Sequence, residues 1–197
     1  MLQLPPLKRL LRFIIYSILF SFQFLLSQTY NLNNDTSFLE VHGTSSLHDW
    51  HVDAQSQYGD ANISFENVLE IKTLNFSVIS ESLKSGKSGM DKNTYKALKT
   101  DSYNKIDFNL KSVEATKRIN ENHYKIYALG DLTICGVTKS VPIEFSMRVE
   151  DNQLLIEGEK PLLMTDYGIE PPKALFGTIK TGNEINVVFK AVYETKK

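Results

Sequence analysis

The feature that most constrains the fold is an alternation of apolar and polar residues in several long stretches of the chain. Following Asn104, the apolar residues Ile106, Phe108 and Leu110 are separated by single polar residues. The same alternation recurs in residues 141–149 and 185–194. A period of two places one apolar row on one face of an extended chain. Each stretch therefore predicts a strand with one buried face.

Shorter runs rich in β-branched and aromatic residues predict further strands, for about nine in total. These runs are residues 37–42, 47–54, 62–68, 71–80, 123–134 and 152–159. Turns are predicted at Tyr58-Gly59-Asp60, Cys135-Gly136 and Thr181-Gly182-Asn183. Residues 89–100 have the spacing of one short helix, and the proline-rich residues 161–177 predict a long loop.

The sequence thus predicts an all-β fold, an antiparallel β-barrel of about eight strands with one short helix. Eight strands leave a lumen just wide enough for one small ligand. A packed core and a ligand cavity are lined by the same apolar face, so the alternation alone leaves both open.

The first 27 residues predict a signal peptide rather than part of the fold. Lys8, Arg9 and Arg12 precede a nearly continuous apolar run at residues 13–26, which is shorter than the roughly 20 residues of a membrane-spanning helix. Cleavage is predicted near Ser27, with an uncleaved anchor as the alternative. Residues 28–197 are then one exported domain, periplasmic or secreted.

The charge balance excludes one class of function, and the cysteine content excludes one kind of crosslink. The chain has 22 Lys and Arg residues against 23 Asp and Glu residues, without the basic surplus that nucleic-acid binding needs. Its single cysteine, Cys135, cannot form an intramolecular disulfide. Its predicted place is an exposed hairpin tip, where a disulfide between two chains and hence a homodimer stay open.

Segment 42–51 contains the residue types of a metal site or a nucleophilic triad. His42, His48, Asp49 and His51 are candidate metal ligands. If residues 47–54 form a strand, however, His48 and His51 point to opposite faces and cannot hold one ion without a bulge. The serines nearby lack the glycine-flanked motif of a nucleophile elbow. The sequence therefore predicts neither a catalytic residue nor a metal site.

Three segments carry a family resemblance: GDLTICGVTKSVPIEF (130–145), TYKALKTDSYNKIDFNLKSV (94–113) and KPLLMTDYGIEPP (160–172). With them the chain resembles the YceI-like family of exported bacterial proteins that bind lipids or polyisoprenoids. The resemblance runs in the same order from about Tyr30 to Tyr193, which is essentially the whole of the chain after the predicted signal peptide. It implies a lipocalin-like barrel around an apolar tunnel, and binding rather than catalysis. Segment 42–51 differs from the commonest family pattern, and Cys135 stands where Asn is more usual.

The candidate ligand-binding residues are apolar residues assigned to inward strand faces. They are Phe76, Phe108, Leu110, Ile126, Ile143, Phe145, Met147 and Phe189. Lys84, Lys87 and Lys92 cluster before and within the predicted helix, where they are candidate contacts for a phosphate headgroup; a solvated loop is the alternative.

The main functional hypothesis is an exported carrier of an amphiphilic lipid, a polyisoprenoid such as a polyprenyl phosphate or a quinone, which needs no cofactor. A ligand-free structural or interaction barrel is the first alternative, because strands with a period of two require no ligand. A metal-dependent enzyme that uses segment 42–51 is the second.

Overall fold

The alternating stretches form the walls of a closed β-barrel. The computed structural model describes residues 28–64, 68–150 and 152–195. The predicted signal peptide, residues 1–27, lies outside the described residues.

The described residues form twelve strands and one α-helix. The strands are β1 (Gln28–Leu32), β2 (Phe38–Ser45), β3 (Trp50–Ala54), β4 (Gln57–Ser64), β5 (Glu70–Ile79), β6 (Leu83–Lys84), β7 (Lys105–Arg118), β8 (His123–Ile134), β9 (Val137–Glu150), β10 (Gln153–Leu163), β11 (Lys173–Ala174) and β12 (Ile179–Thr195). Helix α1 spans Ser88–Leu98, and 3-10 turns span Ser80–Ser82, Met164–Tyr167 and Leu175–Gly177.

Eight of these strands close a ring. The order is β1, β4, β5, β7, β8, β9, β10 and β12, and β12 pairs in turn with β1. Every pairing is antiparallel, from Tyr30 opposite Ala61 in β1 and β4 to Tyr30 opposite Thr195 in β1 and β12. The predicted eight-stranded antiparallel barrel with one helix is confirmed.

Three long extended segments of the chain are each divided into two strands by a short break: β1 and β2, β3 and β4, and β5 and β6. Strand β2 pairs with β12 beyond the point where β1 ends, β3 pairs with β2, and β6 pairs with β3. The breaks fall at residues 33–37, 55–56 and 80–82. At the first break, the Asn33 side chain accepts a hydrogen bond from the Asp35 amide, and Ser37 Oγ donates to the Asn33 carbonyl. Beyond these breaks, β2, β3 and β6 continue the barrel wall.

One end of the barrel is packed solid. Its core contains side chains that are almost completely buried: Tyr30, Ile63, Ile126, Met147, Leu154 and Tyr193. The Tyr193 hydroxyl donates to the Asn75 carbonyl at 3.0 Å, so its polar end is satisfied inside the barrel. We call this half the closed end and the opposite half the mouth.

Helix α1 covers the mouth on the side where β6 and β7 are not paired. Met90 and Leu98 pack into an apolar cluster with Val78, Leu83 and Ile106. The Asp91 carboxylate anchors the first turn, because it accepts hydrogen bonds from the Ser85 amide at 2.8 Å and Ser85 Oγ at 2.6 Å. The described residues contain no helix with the length and hydropathy to cross a bilayer.

Cys135 is buried, which corrects the prediction of an exposed hairpin tip. The predicted turn at Cys135-Gly136 is present, and both residues have the positive φ of a type I′ turn, 49° and 75°. Helix α1 packs over this turn, however, and the thiol donates to the Leu98 carbonyl at 3.1 Å. Burial raises the pKa of the thiol. A disulfide to a second chain would need this thiol exposed, and homodimerisation stays a prediction.

Two predicted turns are parts of strands instead. Gly59 lies within β4, where a Cβ atom would come within 2.2 Å of the Asn75 carbonyl oxygen; the close approach of β5 explains the glycine. Gly182 lies within β12, at an irregularity between Thr181 and Ile185 in its pairing with β2. The predicted loop at residues 161–177 is also partly wrong, because β10 continues through Pro161 to Leu163.

Candidate ligand cavity

The mouth half of the barrel contains a cavity of about 750 Å³. Its floor is the top of the closed-end core, at Leu74, Phe145 and Tyr193. Its rim includes Leu47, in the turn between β2 and β3, and Lys87, at the start of α1. The cavity therefore runs from the middle of the barrel to the surface at the mouth.

The wall of the cavity is built by the inward rows of the alternating strands. Strand β9 contributes Val141, Ile143 and Phe145, and β12 contributes Ile185, Val187 and Phe189 among others. Because successive residues of a strand point to opposite faces, the polar residues between them lie outside. The result is a deep, apolar space with polar groups at its rim, the usual composition of a small-molecule site.

Two glycines let aromatic rings lie against the wall instead of across the cavity. A Cβ atom on Gly130 would lie 2.0 Å from the ring of Phe108, and one on Gly158 would lie 2.8 Å from the ring of Phe189. Each ring thus occupies the space of a missing side chain on a neighbouring strand. This packing keeps the middle of the cavity open.

Five of the eight predicted ligand-binding residues line the cavity, and three do not. Phe76, Phe108, Ile143, Phe145 and Phe189 are wall or floor residues. Leu110, Ile126 and Met147 belong to the closed-end core. All eight lie on inward strand faces, but position along the barrel axis decides which of them border empty space. A ligand contact remains a prediction for each of them.

Of the three predicted headgroup lysines, Lys87 lines the cavity. The Lys84 ammonium instead bonds the Tyr95 hydroxyl and lies 4.8 Å from the centre of its ring, and the hydrogen bond raises the pKa of Lys84. Lys92 is exposed on α1 and does not line the cavity. Two further lysines that were not predicted, Lys160 and Lys173, also line the cavity.

The histidines of segment 42–51 lie in two different places, on the outer face of the barrel and at the rim of the cavity. His42 and His51 are opposite each other in the pairing of β2 with β3, with ring centres 5.8 Å apart, on the outer face. His42 Nε2 lies 2.9 Å from the Glu40 carboxylate. His48 precedes β3 and lies at the rim of the cavity. Within the described ranges, no three His, Cys, Asp or Glu side chains are arranged to hold a metal ion.

Comparison with known proteins supports the same fold. A scan against protein-family models matches the YceI-like domain over residues 30–193. A search of curated proteins found no match.

Several solved structures are similar to this one. The crystal structure of Burkholderia cenocepacia BcnA has a TM-score of 0.66 at 12% identity, covering 82% of this chain and 98% of that one. A polyisoprenoid binding domain from Saccharophagus degradans, implicated in plant cell wall breakdown, has a TM-score of 0.66 at 14% identity and covers 86% and 99%. The Campylobacter jejuni YCEI protein has a TM-score of 0.51 at 17% identity and covers 70% and 80%.

Proposed function

The chain belongs to the YceI-like family, and on this premise we propose that it is an exported protein that binds and carries an amphiphilic lipid in the cavity of its barrel. The lipid class is a polyisoprenoid, such as a polyprenyl phosphate or a quinone. The function is binding rather than catalysis, and it requires no cofactor.

The apolar cavity is the observation that carries this proposal. Its volume, about 750 Å³, lies within the range of roughly 300–1,000 Å³ for small-molecule sites. Burial of one methylene group contributes about 0.8 kcal/mol, so a long hydrocarbon chain gains affinity from such walls without specific polar contacts. A ligand-free barrel would not need this open volume beside a fully packed closed end.

The ligand class rests on the family and on one neighbour. The Saccharophagus degradans domain is described as polyisoprenoid binding, and its fold covers 86% of this chain. A branched, flexible isoprenoid tail suits a cavity whose wall alternates bulky aromatic rings with Val, Ile and Leu. For a ligand with a phosphate head, Lys87 at the rim is the candidate contact among the predicted lysines.

The proposal that the protein is exported is supported by the sequence of residues 1–27, which has basic residues followed by an apolar run. We place the mature protein in the periplasm or outside the cell. There it would shield the apolar tail of a lipid from water, as the interior of a membrane does.

The test is native mass spectrometry of the protein exported by a bacterial host that expresses the full chain, followed by organic extraction. We expect an isoprenoid lipid to leave with the protein at near one-to-one stoichiometry. An empty protein that takes up neither added quinone nor added polyprenyl phosphate would contradict the proposal and favour the ligand-free barrel.

Two substitutions on neighbouring positions of β7 make the test specific to the interior. Phe108→Asp places a carboxylate in the cavity wall, and we expect it to abolish lipid retention because an unpaired charge in an apolar site is strongly unfavourable. Asn109→Asp places the same group on the exposed face and should retain lipid like the original protein. Retention by a folded Phe108→Asp variant would contradict binding in this cavity.

A further inference from the structure

A short hairpin lies at the rim of the mouth, where the cavity opens. Strand β11 pairs with the start of β12, with Lys173 opposite Lys180 and Ala174 opposite Ile179. The turn between them includes Leu175–Gly177, and these three residues, Leu-Phe-Gly, have no polar side chain. Lys173 and Ile179 line the cavity. The hairpin therefore borders the opening and ends in an apolar tip.

Phe176, in the middle of this turn, is exposed in an unfavourable conformation. Its relative exposure, 112%, is the highest of the large hydrophobic residues in the part of the chain that the structure describes. Its φ of 56° lies in the left-handed region, which is unfavourable for a bulky side chain. Residues held in such conformations concentrate at functional sites. Phe176 is therefore a candidate binding residue, although it lies outside the cavity wall.

A second apolar tip lies beside the hairpin. Leu47, in the turn between β2 and β3, is 65% exposed and lies at the rim. Ser45 Oγ accepts hydrogen bonds from the Leu47 amide at 3.2 Å and the His48 amide at 3.1 Å, which hold the turn in one conformation. The Ser46 amide donates to the Lys180 carbonyl at 2.9 Å, and the Lys180 amide donates to Ser46 Oγ at 3.1 Å. These bonds fix the two tips at the same edge of the mouth.

Lysines lie around the two tips. Lys173 and Lys180 are directly opposite each other in the hairpin, where like charges destabilise a strand pair. Lys87 lies at the rim at the start of α1, and no acidic residue is found among the described residues that line the cavity. Two carboxylates lie outside that lining, Glu170 at 3.3 Å from the Lys173 ammonium and Asp49 just before β3. The rim therefore has a basic surplus, which an anionic surface would compensate.

Apolar tips among lysines, at the opening of an apolar cavity, fit the surface of a bilayer. At such a surface, apolar side chains enter the boundary between headgroups and acyl chains, and lysines are attracted to anionic headgroups. A stable protein partner would instead bury a continuous face of roughly 800 Å² on each side, whereas these tips flank an opening. A bilayer here would also adjoin the cavity, so an apolar tail could pass between the two without exposure to water.

We propose that the hairpin of Phe176 and the turn of Leu47 dock this end of the barrel on a bilayer that contains anionic phospholipids, with Lys87, Lys173 and Lys180 at the level of the headgroups. This inference deepens the proposed function and rests on it for its purpose, the passage of a lipid between the bilayer and the cavity. The docking surface itself lies outside the cavity and requires no particular ligand there.

The test is flotation of the exported protein with vesicles of phosphatidylglycerol and phosphatidylcholine, compared with vesicles of phosphatidylcholine alone. We expect tighter binding to the anionic vesicles, weakened by added salt because exposed charges are screened. Phe176→Asn removes the ring but tolerates the left-handed conformation, and should lower the vesicle affinity about tenfold through the lost apolar burial. Lys180→Gln should lower the affinity for anionic vesicles about fivefold.

The matched control is Ile119→Ser at the closed end. Ile119 is half-exposed in the turn between β7 and β8 and follows Lys117 and Arg118, so it has similar chemistry far from the mouth. This variant should bind vesicles like the original protein. Because all variants share one N-terminus, a difference between them reports on the altered residue. Equal losses in Ile119→Ser and Phe176→Asn would indicate unspecific adsorption and overturn the inference.

The remaining outcomes separate the docking surface from the proposed function. Absence of binding to anionic vesicles would overturn the docking surface, and a lipid extracted from the same protein would leave the proposed function in place. Equal binding to both kinds of vesicle would contradict an anionic partner. Vesicle binding that is lost in Phe176→Asn supports the docking surface even if extraction yields no lipid, a result that would contradict the proposed function alone.

A stability measurement separates docking from folding. Because the Phe176 ring is fully exposed and its φ is unfavourable, Phe176→Asn should leave the thermal midpoint of the protein unchanged or raise it. A lower midpoint would mean that the ring already contributes to the fold, and the inference would fail.

Discussion

The closed end and the mouth half of this barrel have the same alternating sequence pattern and opposite interiors. At the closed end, Tyr30 and Tyr193 are long enough to fill the space between the walls, and the Tyr193 hydroxyl is bonded to Asn75. In the mouth half, the inward positions are mostly aliphatic, and the rings of Phe108 and Phe189 lie against glycines in the wall.

The comparison shows that the length and direction of the inward side chains decide whether an eight-stranded barrel is solid or hollow. An interior of this width is filled when large side chains cross it and open when they do not. The same strands therefore carry both the residues that fill the closed end and the residues that line the cavity.

The largest expected difference between the two halves is the effect of a truncated isoleucine. Ile126 is completely buried at the closed end, and Ile143 lines the cavity. We expect Ile126→Ala to lower the free energy of unfolding by about 2–5 kcal/mol, and Ile143→Ala by clearly less because one side of Ile143 already borders empty space. Urea unfolding measures both, and equal losses would contradict the division into two halves.

Added volume should also be tolerated less well at the closed end than in the cavity wall. Ala128→Leu inserts a larger side chain into the closed-end core, where overpacking is expected to lower the free energy of unfolding by about 1–3 kcal/mol. Val187→Phe adds volume in the cavity wall and should leave stability close to that of the original protein while reducing the amount of bound lipid. The comparison would be wrong if Val187→Phe were the more destabilising change.

The smallest effect is expected at the anchor of α1. Asp91 accepts two hydrogen bonds from Ser85, and these bonds lower the pKa of Asp91 below its unperturbed value of 3.8. The two hydrogen bonds therefore stabilise the fold when the pH is above this unperturbed pKa. This stabilisation is lost as the pH falls through the lowered pKa of Asp91. Asp91→Asn should accelerate hydrogen exchange in α1 at neutral pH and leave β8 at the closed end unchanged. Slow exchange in both segments would contradict a local anchor.

Sequence alone predicted the walls better than the interior. The alternation around Phe108 and in β9 identified strands and their inward faces, because a half-buried strand shows its burial directly in its residue pattern. The same pattern could not tell that Ile143 borders a cavity and Ile126 does not, since both are apolar and inward.

The errors at Gly59 and Cys135 have one cause, a contact between distant parts of the chain. Gly59 is required by the backbone of β5 and not by a turn. The turn at Cys135 was predicted correctly, but α1, nearly forty residues earlier in the sequence, covers it.

Strand β12 pairs with β10, β2 and β1, and its last residues meet the first strand of the barrel. One hydrogen bond of this closure joins Asn33 to Glu194, 161 positions apart in the sequence. Contacts between residues so far apart in the sequence are entropically unfavourable to form. Proteins whose folds are dominated by such contacts fold in milliseconds to seconds. We therefore expect barrel closure to be a late folding event, which would keep the newly made chain unfolded for longer than a helical protein of the same size.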